Sequence, residues 1–311
     1  MKLPPQLRLS PKWAPYIFLS PFVILFGVFG VFPLIFSLYL AFQTWEPTSG
    51  LGAMDFVGLG NFAFALQDEW FWKSLKTTAW LAFASGVPQH LVAIPLAYFI
   101  PSSFKRLRNG VVGAYFMPYI TSTVAIAILF SSLFSTDYGL VNVGLQVLRT
   151  VPLLEWFLPA NAIDWLGDPD HIKPAISMIV FWRYVGFNVV LYLAALQTIP
   201  NDIYEAATMD GAGRLQQFWF ITLPSLKPMI FFGVTLSVIG GLQLFEEPFI
   251  LTGGRGGSDQ AGMTTAIYLY RMAFDFNDFG AASAMSWLLF IVVVLLTWLT
   301  NRVFAAKGAK P

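Results

Sequence analysis

The chain has 311 residues, 57% of them hydrophobic and 11% charged, against about 25% charged in soluble domains, which leaves too little polar surface to clothe a water-soluble globule and marks a membrane protein. A net charge of +1 supplies no basic field for nucleic acid. The absence of cysteine excludes disulfides, thiolate metal sites and cysteine nucleophiles, and neither His90 nor His171 has a partner at metal-ligand spacing, so no cofactor is expected.

After Lys2, Arg8 and Lys12 comes an uncharged run from Trp13 to Trp45. It exceeds the apolar core of a signal peptide and lacks a small-residue cleavage site. About 20 apolar residues cross a bilayer, so this run predicts a first, retained transmembrane helix. Further runs follow at Thr77–Pro101, Gly110–Phe134, Pro174–Thr198, Pro228–Leu251 and Phe279–Val303. Each must be helical, because hydrocarbon offers an exposed backbone no partner, and these continuous runs lack the alternation of a barrel. The expected fold is an all-α membrane protein with six transmembrane helices. It forms one domain over residues 1–311, with a membrane-embedded core at about 13–304.

The connections differ in kind. Trp70, Phe71 and Trp72 close a Gly- and aromatic-rich stretch from Glu46 to Lys76 and are expected in an interfacial belt. His90 is expected to pack or hydrogen-bond within the second span, and His171 to lie in a solvated loop. The apolar run Leu140–Leu158 is interrupted by Pro152 and two charges, which suits a surface or interfacial helix better than a span. Between the fourth and fifth spans stands a polar interruption, Asn201–Pro224. Asp202 precedes Glu205 at capping-box spacing, so a short helix is expected to start there. Gly211 and Gly213 then break it, and a second helix over Arg214–Thr222 runs up to Pro224. The cluster Gly253–Gly257 lacks the Gly-Lys-Ser/Thr ending of a phosphate loop and reads as an outer turn.

Positive residues orient the spans. With the amino terminus in the cytoplasm, the inner segments hold Lys2, Arg8, Lys12, Lys105, Arg106, Arg108, Arg214, Lys227, Arg302, Lys307 and Lys310. The outer segments hold Lys73, Lys76, Arg149, Lys173, Arg255 and Arg271 among many more acids. Both termini are therefore expected in the cytoplasm, on the same side as the Asn201–Pro224 interruption.

That interruption carries a resemblance. Glu205-Ala206-Ala207, then Gly211, then Ile221-x-Leu223-Pro224 resembles, at every fixed position, the EAA loop of ABC-importer permease subunits. The resemblance implies a type I ABC-importer transmembrane fold whose cytoplasmic coupling helix docks into a cleft on a separate ATPase subunit. It assigns coupling to Glu205, Ala206, Ala207, Asp210, Gly211, Leu223 and Pro224. Ala206 and Ala207 would allow close approach, Glu205 would face a basic partner residue, and Gly211 would supply the turn.

Other stretches are similar to the sugar-importer branch of the same family, nearest the maltose and lactose permease type. They include Met117-Pro118-Tyr119 with Asp137-Tyr138-Gly139-Leu140-Val141-Asn142, and Trp165-Leu166-Gly167-Asp168-Pro169 with Val185-Gly186-Phe187-Asn188. Leu242–Gly254 adds a further match, with Glu246 where the family usually has aspartate. Arg255-Gly256-Gly257 stands where it usually has Gly-Pro-Gly. The resemblance implies a bacterial inner-membrane subunit, itself non-catalytic, that works with a second homologous permease, an ATPase dimer and a periplasmic or extracellular solute-binding protein.

Charges inside spans are informative, since each costs about 2.5–3.5 kcal/mol at a helix centre. Arg183 lies in the fourth span, and Glu246 and Glu247 near the outer end of the fifth. Tyr184, Asn188 and Tyr192 form one polar stripe, and Gln243, Glu246 and Glu247 a second, extended inward by Ser237 and Gly240. Sugar hydroxyls need paired donors and acceptors, and sugar ring faces are apolar, so these stripes are expected to line a translocation pathway. Arg183 is alternatively a partner for one of the glutamates, locking helices together. The competing functions are an ion- or proton-coupled sugar carrier using Glu246 or Glu247, and a membrane-embedded enzyme, whose carboxylate or histidine clusters are not found.

Overall fold

The structure, a computed structural model, describes residues 12–103 and 108–305. The basic positions Lys2, Arg8, Lys105, Arg106, Lys307 and Lys310, on which part of the orientation argument rests, lie outside the described residues. The chain runs through α1 (Ala14–Leu40), α2 (Gly60–Gln67), α3 (Glu69–Ser103), α4 (Arg108–Ile120), α5 (Thr123–Leu133), α6 (Leu140–Arg149) and α7 (Pro169–Leu196). It continues through α8 (Asn201–Met209), α9 (Arg214–Gln217), α10 (Lys227–Leu242), α11 (Glu246–Leu251), α12 (Thr265–Phe274) and α13 (Phe279–Ala305). One two-residue ribbon pairs β1 (Gln43–Thr44) with β2 (Asp55–Phe56).

Among the described residues, α1, α3, α7, α13 and the run Lys227–Leu251 are long and apolar enough to cross a bilayer. The expected third span is broken: Val112–Ile120 and Thr123–Leu133 are bent by 103°. Pro118 deprives the last turn of α4 of an N–H, and Ser122 is extended, with φ −54° and ψ 132°. The expected fifth span is interrupted as well, at residues 243–245 between α10 and α11. Pro248 explains this: its ring would strike the carbonyl four residues back, at Leu244, in a continuous helix. Near the start of α11 its missing N–H costs nothing, because that turn has no helical acceptor anyway.

Prolines also account for two π turns. Gly27–Val31 precedes Pro33, and the Phe32 N–H reaches back to the Gly27 carbonyl. Phe218–Thr222 precedes Pro224, and the Leu223 N–H reaches the Phe218 carbonyl. In each case the widened turn lets a proline follow without stopping the helix, so α9 continues through Pro224 to Ser225 instead of ending there.

Two other starts differ from expectation. Helix α3 begins at Glu69, not Thr77, which places Trp70, Phe71 and Trp72 on its first turn. Phe71 is 1% exposed and belongs to the core, not to an interfacial belt. Lys73 and Lys76 end the hydropathic run but do not end the helix. Helix α7 starts at Pro169, so His171 lies on its first turn and not in a loop. Asp168 caps it by accepting from the Asp170 N–H at 2.9 Å, while His171 Nδ1 lies 2.9 Å from the other carboxylate oxygen. These bonds, the one to the Asp170 N–H first, hold the Asp168 carboxyl below its ordinary range. Helix α6 is a short amphipathic surface element, and its buried Asn142 accepts from the Ile163 N–H at 3.0 Å.

Of the described residues, those up to Gln67 together with Leu269–Leu288 form one compact unit. Within it, Asn61 Nδ2 donates to the carbonyls of Ala41 and Gln43 at 3.1 and 2.8 Å, fixing α2 beside the ribbon. Asp68–Tyr268 with the residues from Leu289 onward form the other. Its spine is α3 against α7, packed through Ala93, Ala97, Val185 and Val189. Small residues let membrane helices approach closely. Gly186 is the extreme case: a Cβ there would meet the Tyr115 carbonyl oxygen of α4 at 1.7 Å.

Candidate functional site

Both candidate regions lie in the second unit. The first is a cavity of about 240 Å³ between α3, α7 and α10, closed on one side by Tyr119 of α4. Its polar side chains are those of Ser85, Gln89, Tyr119, Tyr184, Asn188 and Ser237. Asn188 Nδ2 donates to Gln89 Oε1 at 3.2 Å and to the Tyr184 carbonyl at 3.3 Å, while Gln89 Nε2 donates to the Val180 carbonyl at 3.4 Å. The Tyr119 ring stacks on Phe187 at 4.8 Å between centroids and meets Tyr184 edge-on at 5.9 Å. Gly86, Gly240 and Gly241 keep the walls thin. Paired amides beside aromatic faces suit a polyhydroxylated ring, with directed hydrogen bonds around its rim and apolar C–H contact across its faces.

Of the two expected stripes, part converges here. Tyr184, Asn188, Ser237 and Gly240 line the cavity. Tyr192 does not: it is fully buried, bonds His90 Nδ1 at 2.7 Å and packs where Gly233 leaves room. His90 is thus hydrogen-bonded at its place in the second span, as expected, its partner standing on α7. Gln243, Glu246 and Glu247 do not form one helical face, because the chain breaks between Gln243 and Glu246. Gln243 is exposed. Glu246 accepts from Thr123 Oγ1 at 2.5 Å, at the point where α5 begins. Glu247 is 3% exposed and pairs with Arg183 at 2.7 Å, while the guanidinium lies 5.5 Å from the Tyr184 ring. The helix-locking alternative is therefore realised for Arg183 and Glu247.

Sequence reasoning missed Ser85, Gln89, Tyr119 and Phe187. A signal existed for the first two: Thr78, Ser85 and Gln89 recur at helical spacing within an otherwise apolar span. Among the described residues, no three His, Asp or Glu side chains gather as a metal site.

The second region is the hairpin of α8 and α9. Helix α8 starts at Asn201 behind Pro200, whose φ of −60° and ψ of 136° set the boundary, and no side chain caps it. The expected Asp202–Glu205 capping box does not form. Asp202 is a first-turn acid favourable to the helix dipole, and Glu205 is exposed beside exposed Ala206 and half-buried Ala207. Asp210 ends α8, and Gly211 turns the chain with φ +81°, a conformation costly for any residue with a Cβ. Gly213 keeps a negative φ and starts α9, its N–H bonded to Gln216 Oε1 at 2.8 Å.

Long-range bonds make the hairpin one body. Gln217 Nε2 donates to Thr208 Oγ1 at 2.9 Å and to the Ala212 carbonyl at 3.0 Å, and the Tyr204 and Thr222 hydroxyls meet at 2.9 Å. It is also anchored to the helices. Tyr98 of α3 donates to the Arg214 carbonyl at 3.2 Å, and Phe218 packs on Tyr98 and Phe99 within the α3–α7 core. Leu223 packs against that core too, while Pro224 is exposed. Elsewhere on the hairpin Ile203, Met209 and Leu215 are 45, 89 and 62% exposed, and Met209 follows Glu205 by about one helical turn.

Comparison with known proteins agrees with this architecture. Residues 93–306 match the family described as the binding-protein-dependent transport system inner membrane component. The lactose transport system permease protein of Rhizobium radiobacter is 35% identical over 301 residues, covering 95% of this chain and 94% of the relative. An arabinooligosaccharides transport system permease protein of Bacillus subtilis is 32% identical, covering 96% and 90%. A crystal structure of a bacterial ABC transporter involved in import of the acidic polysaccharide alginate superposes with a TM-score of 0.79 at 25% identity, covering 96% of this chain and 97% of that one. The same kind of transporter, in complex with an alginate pentasaccharide-bound periplasmic protein, gives a TM-score of 0.76 at 26% identity over 94% of this chain and 93% of that one. The chain is a multi-pass membrane protein that belongs to the binding-protein-dependent transport system inner membrane component family, as an ABC-importer permease for sugars.

Proposed function

We propose that this chain is a non-catalytic subunit forming half of the pathway of an ATP-driven importer for a di- or oligosaccharide in a bacterial inner membrane. All of residues 1–311 serve as one permease domain of six spans, with both termini and the 201–224 coupling loop in the cytoplasm. A second homologous permease supplies the other half. An ATPase dimer docks on the hairpin around Glu205, Ala206, Ala207, Asp210 and Gly211, with Leu223 and Pro224 at its base. A solute-binding protein delivers the sugar at the outer face, a role supported by the similar alginate transporter's being found in complex with an alginate pentasaccharide-bound periplasmic protein.

One observation carries this reading. The hairpin is bonded and packed onto α3 and α7, and the same two helices bear Gln89, Tyr184 and Asn188 of the cavity. Displacement of the hairpin by closing ATPase subunits therefore moves the cavity walls, giving alternating access without chemistry in this chain. Gln89 and Asn188 hydrogen-bond the sugar, and Tyr119, Tyr184 and Phe187 take its faces. Gln243 and Glu246 stand at the outer break of the pathway, and the Arg183–Glu247 pair holds α11 against α7 above it. A proton-coupled carrier is disfavoured because Glu246 and Glu247 are engaged by Thr123 and Arg183.

The test is uptake of labelled di- and oligosaccharides into vesicles containing the assembled transporter. Uptake should require ATP and persist with an uncoupler. Uptake that needs no ATP and collapses with the uncoupler would establish the carrier instead.

A further inference from the structure

On the other side of α3 and α10 from the sugar cavity lies a groove of about 430 Å³, completed by α13. Its walls are almost wholly apolar, with Phe83, Leu91 and Leu299 open to the surroundings at 71, 68 and 52% exposure. The polar side chains on it are His90, Ser237 and Thr300. His90 commits Nδ1 to Tyr192 and keeps its Nε2 buried without a hydrogen-bond partner, and the Thr300 hydroxyl donates to the Leu296 carbonyl at 2.8 Å. A groove so lined offers water few of the two to four partners it needs, so its natural filling is hydrocarbon.

Its length and charge identify which hydrocarbon. From Ala79 to Ile94 the α3 wall rises about 22 Å, more than one leaflet of a hydrocarbon core about 30 Å thick. One end is marked by cations. Lys227 precedes Ile230 and Val234 at three and seven residues, which puts it on the face of α10 that lines the groove. On α13, Arg302 lies three residues beyond Leu299 at the same end, its guanidinium 4.7 Å from the ring of Trp298, which stands beside the groove-lining residues and not among them. Both cations are exposed. No Asp or Glu occurs on the groove-forming stretches 77–103, 227–242 and 289–305, so this charge is not neutralised by the walls.

We propose that the groove binds one anionic glycerophospholipid of the bilayer, an acyl chain lying between α3, α10 and α13 and the phosphate held by Lys227 and Arg302. The lipid wedges the outer side of the helices whose inner side forms the sugar cavity; Gly86 and Ser237 line both spaces. This goes beyond the transport reading and is measured without transport.

The full chain, delipidated in detergent, is offered phosphatidylglycerol or phosphatidylcholine with matched chains, and bound lipid is read by native mass spectrometry. One phosphatidylglycerol should bind per chain at concentrations at least tenfold below those needed for phosphatidylcholine. K227Q/R302Q should abolish that preference while still admitting either lipid. Val234→Trp, which fills the groove, should weaken retention of both lipids at least tenfold. Equal binding of the two lipids by the unaltered chain overturns the proposal, as does full retention in V234W. Because the chain has no cysteine, Phe83→Cys gives a single crosslinking site. A crosslink in membranes from that site to another permease chain would mean that a protein helix fills the groove, and would also overturn the proposal.

Discussion

The two ends of the second unit are held together by different physics. At the hairpin end, α3, α7 and α9 interlock through Ala93, Val189, Phe218 and Leu226, with hydroxyl and amide bonds added at the edges. Such an interface deforms little, because packed side chains have few alternative arrangements. At the other end two broken spans meet. The start of α5 is tied to α11 by Thr123 and Glu246, and α11 to α7 by Glu247 and Arg183. Polar latches of this kind hold strongly when closed and can exchange partners as units, which apolar packing cannot do. In the mechanism proposed above, the packed end would transmit force and the latched end would act as the gate.

The contrast is broken most severely at the buried ion pair. Glu247→Ala leaves the Arg183 guanidinium, in a residue only 9% exposed, without its counter-charge. It should cost about 3–5 kcal/mol, whereas replacing both partners with apolar residues of similar volume should restore most of that stability. Thermal unfolding of the single and double variants in detergent measures both. A double variant as unstable as the single one would mean that the pair is not the latch.

Next in size is the packed spine. Gly186→Ala drives a methyl into the Tyr115 carbonyl, so α4 must move away from α7, at about 1–3 kcal/mol or more. The loss should appear as a lower Tm and reduced yield of folded protein, and an unchanged Tm would contradict the close crossing.

The smallest effect concerns the exposed start of α7. Because the Asp168 carboxyl is held below its ordinary value near 3.8, its cap is intact above that pH and is lost as pH falls through the lowered folded value. Amide exchange corrected for intrinsic rates should show residues 170–173 losing protection below about pH 4. In Asp168→Asn the oxygen acceptor remains but the titration is gone, so the loss should flatten. An equal pH dependence in both proteins would assign it to another group.

The order of spans and the hairpin were legible in the sequence because both follow from local facts, hydropathy over about 20 residues and a polar interruption with glycines. The breaks were less legible. Pro118 and Pro248 are visible in the chain, but proline is often carried within a membrane helix, as Pro33 and Pro224 are here through π turns. The identity of Arg183's partner depends on helix phase across residues 64 apart in sequence, and adjacent glutamates differ by about 100° around α11. Gln89 escaped notice for the same reason: its partner Asn188 lies 99 residues away, and no local pattern couples them. Glu205, by contrast, was read from a motif, and its exposed position beside Met209 is compatible with the docking role proposed for it.

The most direct measurement of the central claim is ATP hydrolysis by the assembled transporter carrying Glu205→Lys, which reverses the charge of the exposed carboxylate proposed to face the ATPase while the hairpin's internal bonds are untouched. The account predicts normal membrane insertion with sugar-stimulated hydrolysis and uptake both reduced at least tenfold. Normal stimulation and uptake in that variant would contradict it.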